Sequence, residues 1–325
     1  MKDSAGGPPA APGRPSLSST GPRADPLPEY APKPSHEDPT APAKVAAILA
    51  SPSYRRADQD PDFLAWDSVR GVRLAIDYQK AELLLAAQRI EHSIVVFGST
   101  RIKEPDVAAR AVQELEQAFA GSRDDAELAR CLAVARRRLS ASRYYEIARE
   151  FGRLVGRAPP DAAGGRVVIM TGGGPGIMEA ANRGANDVGA PSVGLNIALA
   201  DGQFPNPYVT PELCFCFHYF AIRKLHFMRR ARALVAFPGG FGTIDELFET
   251  LTLVQTRKMP AVPVVLVGRA YWERVIDVDF LVAEGTIDPE DGELFGYAET
   301  AAEAWQIISR WHAAAGSTCF PLPSV

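Results

Sequence analysis

Short continuous apolar segments alternate with amphipathic segments from residue 93 onward. The apolar segments predict strands at 94–97, 167–170, 192–198, 213–217, 233–237 and 262–267. Helical patterns follow at 105–120, 124–156, 176–188, 219–231, 243–256, 270–284 and 300–314. Fully apolar strands separated by helices are typical of a parallel sheet that is covered on both faces. The pattern therefore predicts an α/β fold, a single domain with a doubly wound, Rossmann-like parallel sheet and flanking helices.

The N-terminal part of the chain has a different composition. Residues 1–60 contain 12 of the 27 prolines and almost no aromatic residues. Such a segment buries too little apolar surface to offset the entropy of ordering it. We predict a disordered Pro-rich tail over 1–60, with a short helix near Val45–Ala50. The domain itself is predicted over 61–317, beginning with a helix at 62–89, and a C-terminal tail over 318–325.

Charge and cysteine content narrow the choice of partners and location. The net charge of −4 and the isoelectric point near 5.8 give no overall attraction to nucleic acid or to an anionic membrane. No apolar segment approaches the roughly 18 residues that span a bilayer, and the N-terminus does not resemble a signal peptide. We therefore expect a cytoplasmic protein with neither a nucleic-acid nor a membrane partner. Cys214 and Cys216 alternate with Phe215 and Phe217, which predicts two inert thiols on one face of a buried strand.

Three predicted strands end in loops of related composition. The first loop begins with Gly98 and Ser99, the second runs from Thr171 to Gly176, and the third from Pro238 to Glu246. In a doubly wound sheet, ligands bind outside the carboxyl ends of the strands. The three loops are therefore expected to converge on one crevice.

The third loop has the composition of an anion site. Its three glycines let the backbone approach a ligand closely, and the helix predicted to begin at Thr243 directs unpaired N–H groups and a positive dipole end at the same place. Asp245 and Glu246 follow in the predicted first turn. Because a phosphate needs no carboxylate, the sequence indicates a second group beside the phosphate, and the ribose of a nucleotide fits best.

Two common nucleotide motifs do not fit these loops. The dinucleotide fingerprint places glycine or alanine at its last position, but a motif that starts at Gly172 has Ile177 there. A P-loop requires a lysine, and neither glycine loop contains one. The preceding helix adds Arg223 and Lys224, and the planar fork of an arginine can bind two phosphate oxygens at once.

Together these motifs resemble the LONELY GUY (LOG) family, whose members were long misnamed lysine decarboxylases. The family signature is Arg-Lys, a strand, and Pro-Gly-Gly-x-Gly-Thr-x-x-Glu. Here Arg223-Lys224 precede the strand and Pro238 to Glu246 follow it, and Arg223 and Glu246 are 23 positions apart. The resemblance covers about residues 64–312. The N-terminal helix and the predicted 124–156 helix are similar to those of the longer subgroup.

The resemblance implies a nucleoside 5′-monophosphate phosphoribohydrolase. Such enzymes hydrolyse the N-glycosidic bond of AMP or N6-modified AMP (cytokinin nucleotides) to the free base and ribose 5-phosphate. By position, Glu246 and Arg223 would be catalytic. The implied phosphate and ribose residues are Gly239, Gly240, Gly242, Thr243, Asp245 and Lys224. The implied nucleotide pocket consists of Gly98, Ser99, Gly172, Gly173, Gly174, Gly176 and Met178. The resemblance implies no cofactor and no metal, and it implies a homodimer or higher homo-oligomer.

Other functions stay open at this point. Related folds resemble molybdenum-cofactor carriers, so the chain could be a non-catalytic nucleotide or cofactor carrier. A pyridoxal-phosphate decarboxylase lacks a recognisable Schiff-base lysine here, and the acidic charge balance disfavours a nucleic-acid binder. Short family members have Met-His-Glu at the positions where this chain has Phe220-Ala221-Ile222. This difference affects the expectation of a cytokinin substrate more than the expectation of N-glycosidic hydrolysis.

Overall fold

The computed structural model describes residues 32–160, 166–199 and 204–316, in two units, Met1–Trp66 and Asp67–Val325. The first unit has helices α1 (Ala41–Leu49) and α2 (Pro61–Leu64). Helix α1 overlaps the short helix expected near Val45–Ala50, and the Asp60 carboxylate caps α2 by accepting from the Phe63 N–H at 3.2 Å. Of the disordered tail predicted over 1–60, residues 32–60 are described and contain α1, whereas residues 1–31 and the tail predicted over 318–325 lie outside the described residues.

The second unit alternates strands and helices along the chain. Its strands are β1 (His92–Phe97), β2 (Val167–Thr171), β3 (Ser192–Ile197), β4 (Cys214–Phe217), β5 (Ala231–Ala236), β6 (Val264–Val267) and β7 (Phe295–Ala298). Its helices are α3 (Arg70–Ala87), α4 (Pro105–Gly121), α5 (Ala126–Ala141), α6 (Arg143–Arg157), α7 (Ile177–Asp187), α8 (Phe220–Arg229), α9 (Phe241–Gln255), α10 (Arg269–Trp272), α11 (Val278–Ala283) and α12 (Ala301–Ala314).

The sheet is parallel throughout and doubly wound. Its seven strands lie in the order β4-β3-β2-β1-β5-β6-β7. The chain winds outward from β1 to β4, returns to the other side of β1, and winds outward again from β5. This arrangement confirms the predicted fold class. It places the topological switch point between β1 and β5, where ligands bind in such sheets.

Alternate residues of each strand pack into two apolar layers. Ile94 and Val96 face one layer, to which α6, α7 and α12 contribute. Val95 faces the other layer, to which α3, α8 and α9 contribute. Burial on both faces explains why the central strands are apolar without alternation.

Several element boundaries differ from those predicted. The 124–156 helix is two helices that meet at Ser142, whose hydroxyl donates to the Leu139 carbonyl at 2.7 Å and competes with helix propagation. The first long helix begins at residue 70 instead of 62, and the predicted 270–284 helix divides into α10 and α11. Strand β7 was not predicted, because it is short and only partly buried.

The prediction for the β4 cysteines was wrong. Phe215 and Phe217 are the buried residues, whereas Cys216 is exposed and Cys214 is half-buried. Because β4 is the edge strand, its second face is less covered than the face that packs on the core. Within the described ranges, no helix is both long enough and apolar enough to cross a bilayer.

Candidate active site

The glycine turn after β5 leads directly into helix α9. The helix begins at Phe241, two residues before the predicted start, so Asp245 and Glu246 lie in its second turn. The prediction that they lie in the first turn was therefore wrong. The first N–H groups of a helix have no intrahelical acceptor and are available to an anion. A Cβ added at Gly240 or Gly242 would meet no atom within 4 Å apart from its immediate chain surroundings, and both residues are exposed.

The base of the turn is packed more tightly. A Cβ at Gly239 would overlap the side chain of Thr243, which is buried in the first turn of α9. The Tyr271 hydroxyl donates to the Gly239 carbonyl at 2.5 Å. Glycine is thus required by packing at 239, while at 240 and 242 it leaves room for a ligand.

Arg223 and Glu246 form a buried ion pair below the turn. The Arg223 Nη2 and Glu246 Oε1 atoms are 3.6 Å apart, and the two side chains are 13% and 5% exposed. The guanidinium lies over the rings of Phe220 and Phe227, at 4.9 and 5.7 Å from their centroids. Arg223 Nε and Glu246 Oε2 are buried and have no hydrogen-bond partner among the residues that the structure describes. The pair therefore keeps one donor and one acceptor that the protein does not use.

Burial also shifts the protonation equilibria of the pair. Removal from water raises the pKa of Glu246 to about 7, although the charges of Lys224 and Arg223 act to lower it. Burial likewise lowers the pKa of Arg223, against the opposing carboxylates. A carboxyl group with a pKa near neutrality can take up or release a proton at physiological pH, as a general acid or base requires.

Lys224 is held by two carboxylates of α9. Its Nζ lies 2.8 Å from Asp245 Oδ2 and 3.1 Å from Glu249 Oε2. Lys224 and Asp245 were predicted to bind phosphate or ribose, and in the structure they bind each other. The sequence analysis missed Glu249. The signal for it was the i, i+4 spacing of Asp245 and Glu249, which puts both carboxylates on the face of α9 that meets Lys224.

Helix α8 is fixed at both ends by carboxylates of α3. Asp77 accepts hydrogen bonds from the backbone N–H groups of His218 and Tyr219, at 3.1 and 3.0 Å. Glu82 binds Arg229 at 3.0 Å and Arg230 at 2.9 Å, just beyond the last turn. These contacts set the axial position of α8, and with it the place of the Arg223 guanidinium.

The loops after β1 and β2 contact each other and approach Arg223. The Ile177 N–H donates to the Ser99 carbonyl at 3.1 Å. A Cβ at Gly98 would overlap Ile177, and one at Gly176, where φ is +76°, would overlap the Ser99 carbonyl. Around Gly172 the same construction reaches the Met178 sulfur at 2.9 Å and Arg223 Nη1 at 3.9 Å. The structure thus brings the predicted pocket residues together with the predicted catalytic arginine.

A buried polar network, which the sequence analysis missed, holds the second glycine loop. The Thr171 hydroxyl donates to Asn182 Oδ1 at 2.7 Å and accepts from the Gly173 N–H at 2.9 Å. Asn206 donates to the Gly174 carbonyl at 3.0 Å and to Asn182 Oδ1 at 3.0 Å. Asn206 lies in the segment before β4, far from the loop in sequence, so no local pattern could have indicated it.

The part of the chain that the structure describes contains no group of three or more histidine, cysteine, aspartate or glutamate side chains able to hold a metal ion. The predicted residues lie together at the carboxyl ends of β2 and β5: the Arg223–Glu246 pair joins α8 to α9, which follows the β5 glycine turn, and Arg223 approaches the glycine loop after β2. This region is the place of the predicted crevice. The phosphate, ribose and base roles of individual residues in this crevice remain predictions.

Comparison with known proteins gives one family match. The family described as "Possible lysine decarboxylase" matches residues 178–308, a segment from the first turn of α7 into α12 that contains Arg223, Lys224 and the β5 glycine turn. No curated protein matches the chain. The solved X-ray structure of a protein titled TM1055 is 20% identical and covers 67% of this chain and 99% of its own, with a TM-score of 0.41. The molybdenum cofactor binding protein of the phototrophic bacterium Rippkaea orientalis is 17% identical and covers 52% of this chain and 87% of its own, with a TM-score of 0.34.

Proposed function

We propose that this chain is a nucleoside 5′-monophosphate phosphoribohydrolase of the LOG type. The proposal is supported by the match of residues 178–308 to the family described as "Possible lysine decarboxylase". The substrate would be AMP or an N6-modified AMP, and the products would be the free base and ribose 5-phosphate. The observation that carries the proposal is the buried Arg223–Glu246 pair, which lies beside an open glycine turn at a helix N-terminus.

The first step is capture of the phosphate. The N–H groups at the start of α9 and the open space at Gly240 and Gly242 suit a phosphate dianion. Arg223 supplies a positive charge and the unused Nε donor. Binding energy from this non-reacting end of the substrate then aligns the sugar over Glu246.

Glu246 would act on the bond that breaks. Cleavage of the ribosyl–nitrogen bond builds positive charge at the anomeric carbon, and a fixed carboxylate next to that carbon stabilises it. The unpaired Oε2 atom could also accept a proton from the attacking water. Burial raises the pKa of this carboxyl group, Lys224 and Arg223 act to lower it, and Glu249 and Asp245 act to raise it.

The test is a panel of nucleoside monophosphates that includes AMP and isopentenyl-AMP, with free base and ribose 5-phosphate quantified. We expect Glu246→Gln to lose about 10²–10⁴-fold in kcat, with the AMP dissociation constant nearly unchanged. The matched control is Glu290→Gln, the same chemical change at an exposed residue of the second unit. Its kcat should equal that of the wild type.

Three results would separate the alternatives. Near-normal turnover by Glu246→Gln would remove Glu246 from the mechanism. Nucleotide binding without hydrolysis of any panel member would favour a carrier. Preference for isopentenyl-AMP over AMP would assign a cytokinin substrate. The homodimer implied by the family resemblance stays a prediction, which light scattering on the purified protein would check.

A further inference from the structure

Three asparagines surround the glycine loop after β2, and two of them are fully used within the protein. Asn182 Oδ1 accepts from Thr171 and Asn206, and its Nδ2 donates to the Ser192 hydroxyl at 3.0 Å. Asn206 Nδ2 donates twice, and its Oδ1 accepts from the Tyr208 N–H at 3.2 Å. Their side-chain amides have a structural role in holding the loop.

The third asparagine, Asn196, differs from them. It lies near the carboxyl end of β3 and is only 4% exposed. Its Nδ2 donates to the Cys214 sulfur at 3.6 Å, but its Oδ1 is buried with no hydrogen-bond partner. Buried polar atoms in native proteins are nearly always paired, and an exception calls for a specific explanation. Among the described residues, none donates a hydrogen bond to Asn196 Oδ1.

The unpaired oxygen adjoins the glycine loop of the crevice. Oδ1 lies where a Cβ on Gly173 would stand, at a residue whose φ of +68° is suited to glycine. A Cβ on the neighbouring Gly172 would lie 2.9 Å from the Met178 sulfur and 3.9 Å from Arg223 Nη1. Because both positions are glycines, no loop side chain stands beside Asn196, and Oδ1 lies directly against Gly173.

The position of Asn196 in the sheet fits one end of a nucleotide. The proposed phosphate site follows β5, and β3 is three strands away in the order β3-β2-β1-β5. At about 4.8 Å per strand this is roughly 14 Å along the sheet. An extended nucleoside monophosphate that has its phosphate at the start of α9 and its sugar at Arg223 and Glu246 directs its base toward β3.

We propose that Asn196 determines base specificity, by accepting through Oδ1 a hydrogen bond from an exocyclic amino group of the base. This inference rests on the proposed function and deepens it by naming a substrate class. Nucleotides with an amino base, AMP and CMP, are preferred over those with a keto group at the same position, IMP and UMP. A keto oxygen would face Oδ1 acceptor to acceptor and leave both unpaired.

The experiment compares kcat/KM for AMP and IMP in the full chain. Loss of one neutral hydrogen bond corresponds to about a tenfold effect, so Asn196→Leu should reduce the AMP/IMP ratio about tenfold. Asn196→Asp retains an acceptor and should keep most of the preference. Asn206→Ala is the matched control, because it loosens the same loop without touching the proposed contact. It should lower both rates and leave their ratio unchanged.

Asn196→Ala serves as the second variant if the leucine side chain prevents folding, which a thermal melt would reveal. An unchanged AMP/IMP ratio in the folded Asn196 variant would overturn the inference. So would an equal fall of the ratio in Asn206→Ala, because that result would assign the effect to loop structure.

Binding separates this inference from the proposed function. Dissociation constants for AMP and IMP, measured by calorimetric titration, report the base preference whether or not hydrolysis occurs. One outcome is that the wild type releases no base but binds AMP more tightly than IMP, and that Asn196→Leu loses this binding preference. That outcome would support the role of Asn196 and refute the proposed hydrolase activity. A wild type that binds neither nucleotide would overturn both.

Discussion

The glycine loop after β2 and the glycine turn after β5 look alike in sequence but differ in what surrounds them. In the first, side chains of Thr171, Asn182 and Asn206 bind the backbone, and a Cβ at Gly173 or Gly176 would overlap neighbouring atoms. In the second, Gly240 and Gly242 face open space. Glycine is needed for packing in the first region, whereas at Gly240 and Gly242 of the second it is needed only if a ligand occupies the space.

This difference indicates that the β2 loop and the β5 turn have different roles at the predicted site. The β2 loop is a fixed wall whose shape depends on buried hydrogen bonds, which are costly to leave unmade. The β5 turn leads into the start of α9, where the first N–H groups of a helix have no intrahelical acceptor. Substitutions in the wall should therefore affect stability, and substitutions in the open turn should affect binding.

The largest effect is expected at Gly176. An alanine there would take a positive φ and overlap the Ser99 carbonyl and Thr100. Backbone strain and overpacking together should lower the free energy of unfolding by about 3 kcal/mol or more. Urea denaturation of Gly176→Ala measures this directly. A midpoint equal to that of the wild type would show that the wall is not fixed, and the comparison would fail.

An intermediate effect on the free energy of unfolding is expected from the ionisation of Glu246, the buried carboxyl group in the second turn of α9. Burial raises the Glu246 pKa from 4.5 to about 7, so the folded state binds this proton more tightly than the unfolded state does. The resulting stability is complete below pH 4.5 and is lost as the pH rises through 7, by up to about 3 kcal/mol. Unfolding free energies of the wild type and Glu246→Gln at pH 4.5 and 8 should therefore differ in their pH dependence. Parallel curves would mean that the carboxylate is not destabilised by burial.

The smallest effect on stability is expected at Gly242, inside the first turn of α9. Because its Cβ would meet no neighbour, Gly242→Ala should stabilise the protein by about 0.5–1 kcal/mol through the higher helix propensity of alanine. The same methyl group would occupy the space proposed for phosphate, so KM for AMP should rise. Thermal melts and steady-state kinetics on one preparation test both effects. A stabilised variant with unchanged KM would locate the phosphate elsewhere.

Much of the fold was predictable because its signals are local. Each central strand is a continuous apolar segment, and each ends at glycines, so the parallel sheet and the edge that binds ligands follow from the sequence. The family resemblance drawn from the Arg223-Lys224 and Pro238–Glu246 motifs is confirmed by the family match. Strand β7 was missed because Gly296 and its half-buried neighbours carry no such pattern.

The site was less predictable, because its contacts join distant segments. The pairing of Lys224 with Asp245 and Glu249 depends on how α8 packs against α9. The hydrogen bonds of Asn206 to the β2 loop cross 32 positions of sequence. The lack of a hydrogen-bond partner for Asn196 Oδ1 among the described residues can be recognised only when the positions of all neighbouring donors are known.

The attachment of α8 to α3 has a consequence for any attempt to reduce this protein to a smaller working unit. The family match begins at residue 178, yet the helix that carries Arg223 is anchored through Asp77 and Glu82, about a hundred positions upstream of that boundary. A fragment cut at the edge of the matched segment would retain every signature residue and lose the support that aligns them. The smallest fragment that keeps these supporting contacts therefore starts before α3, and the signature residues alone are not sufficient to form the site.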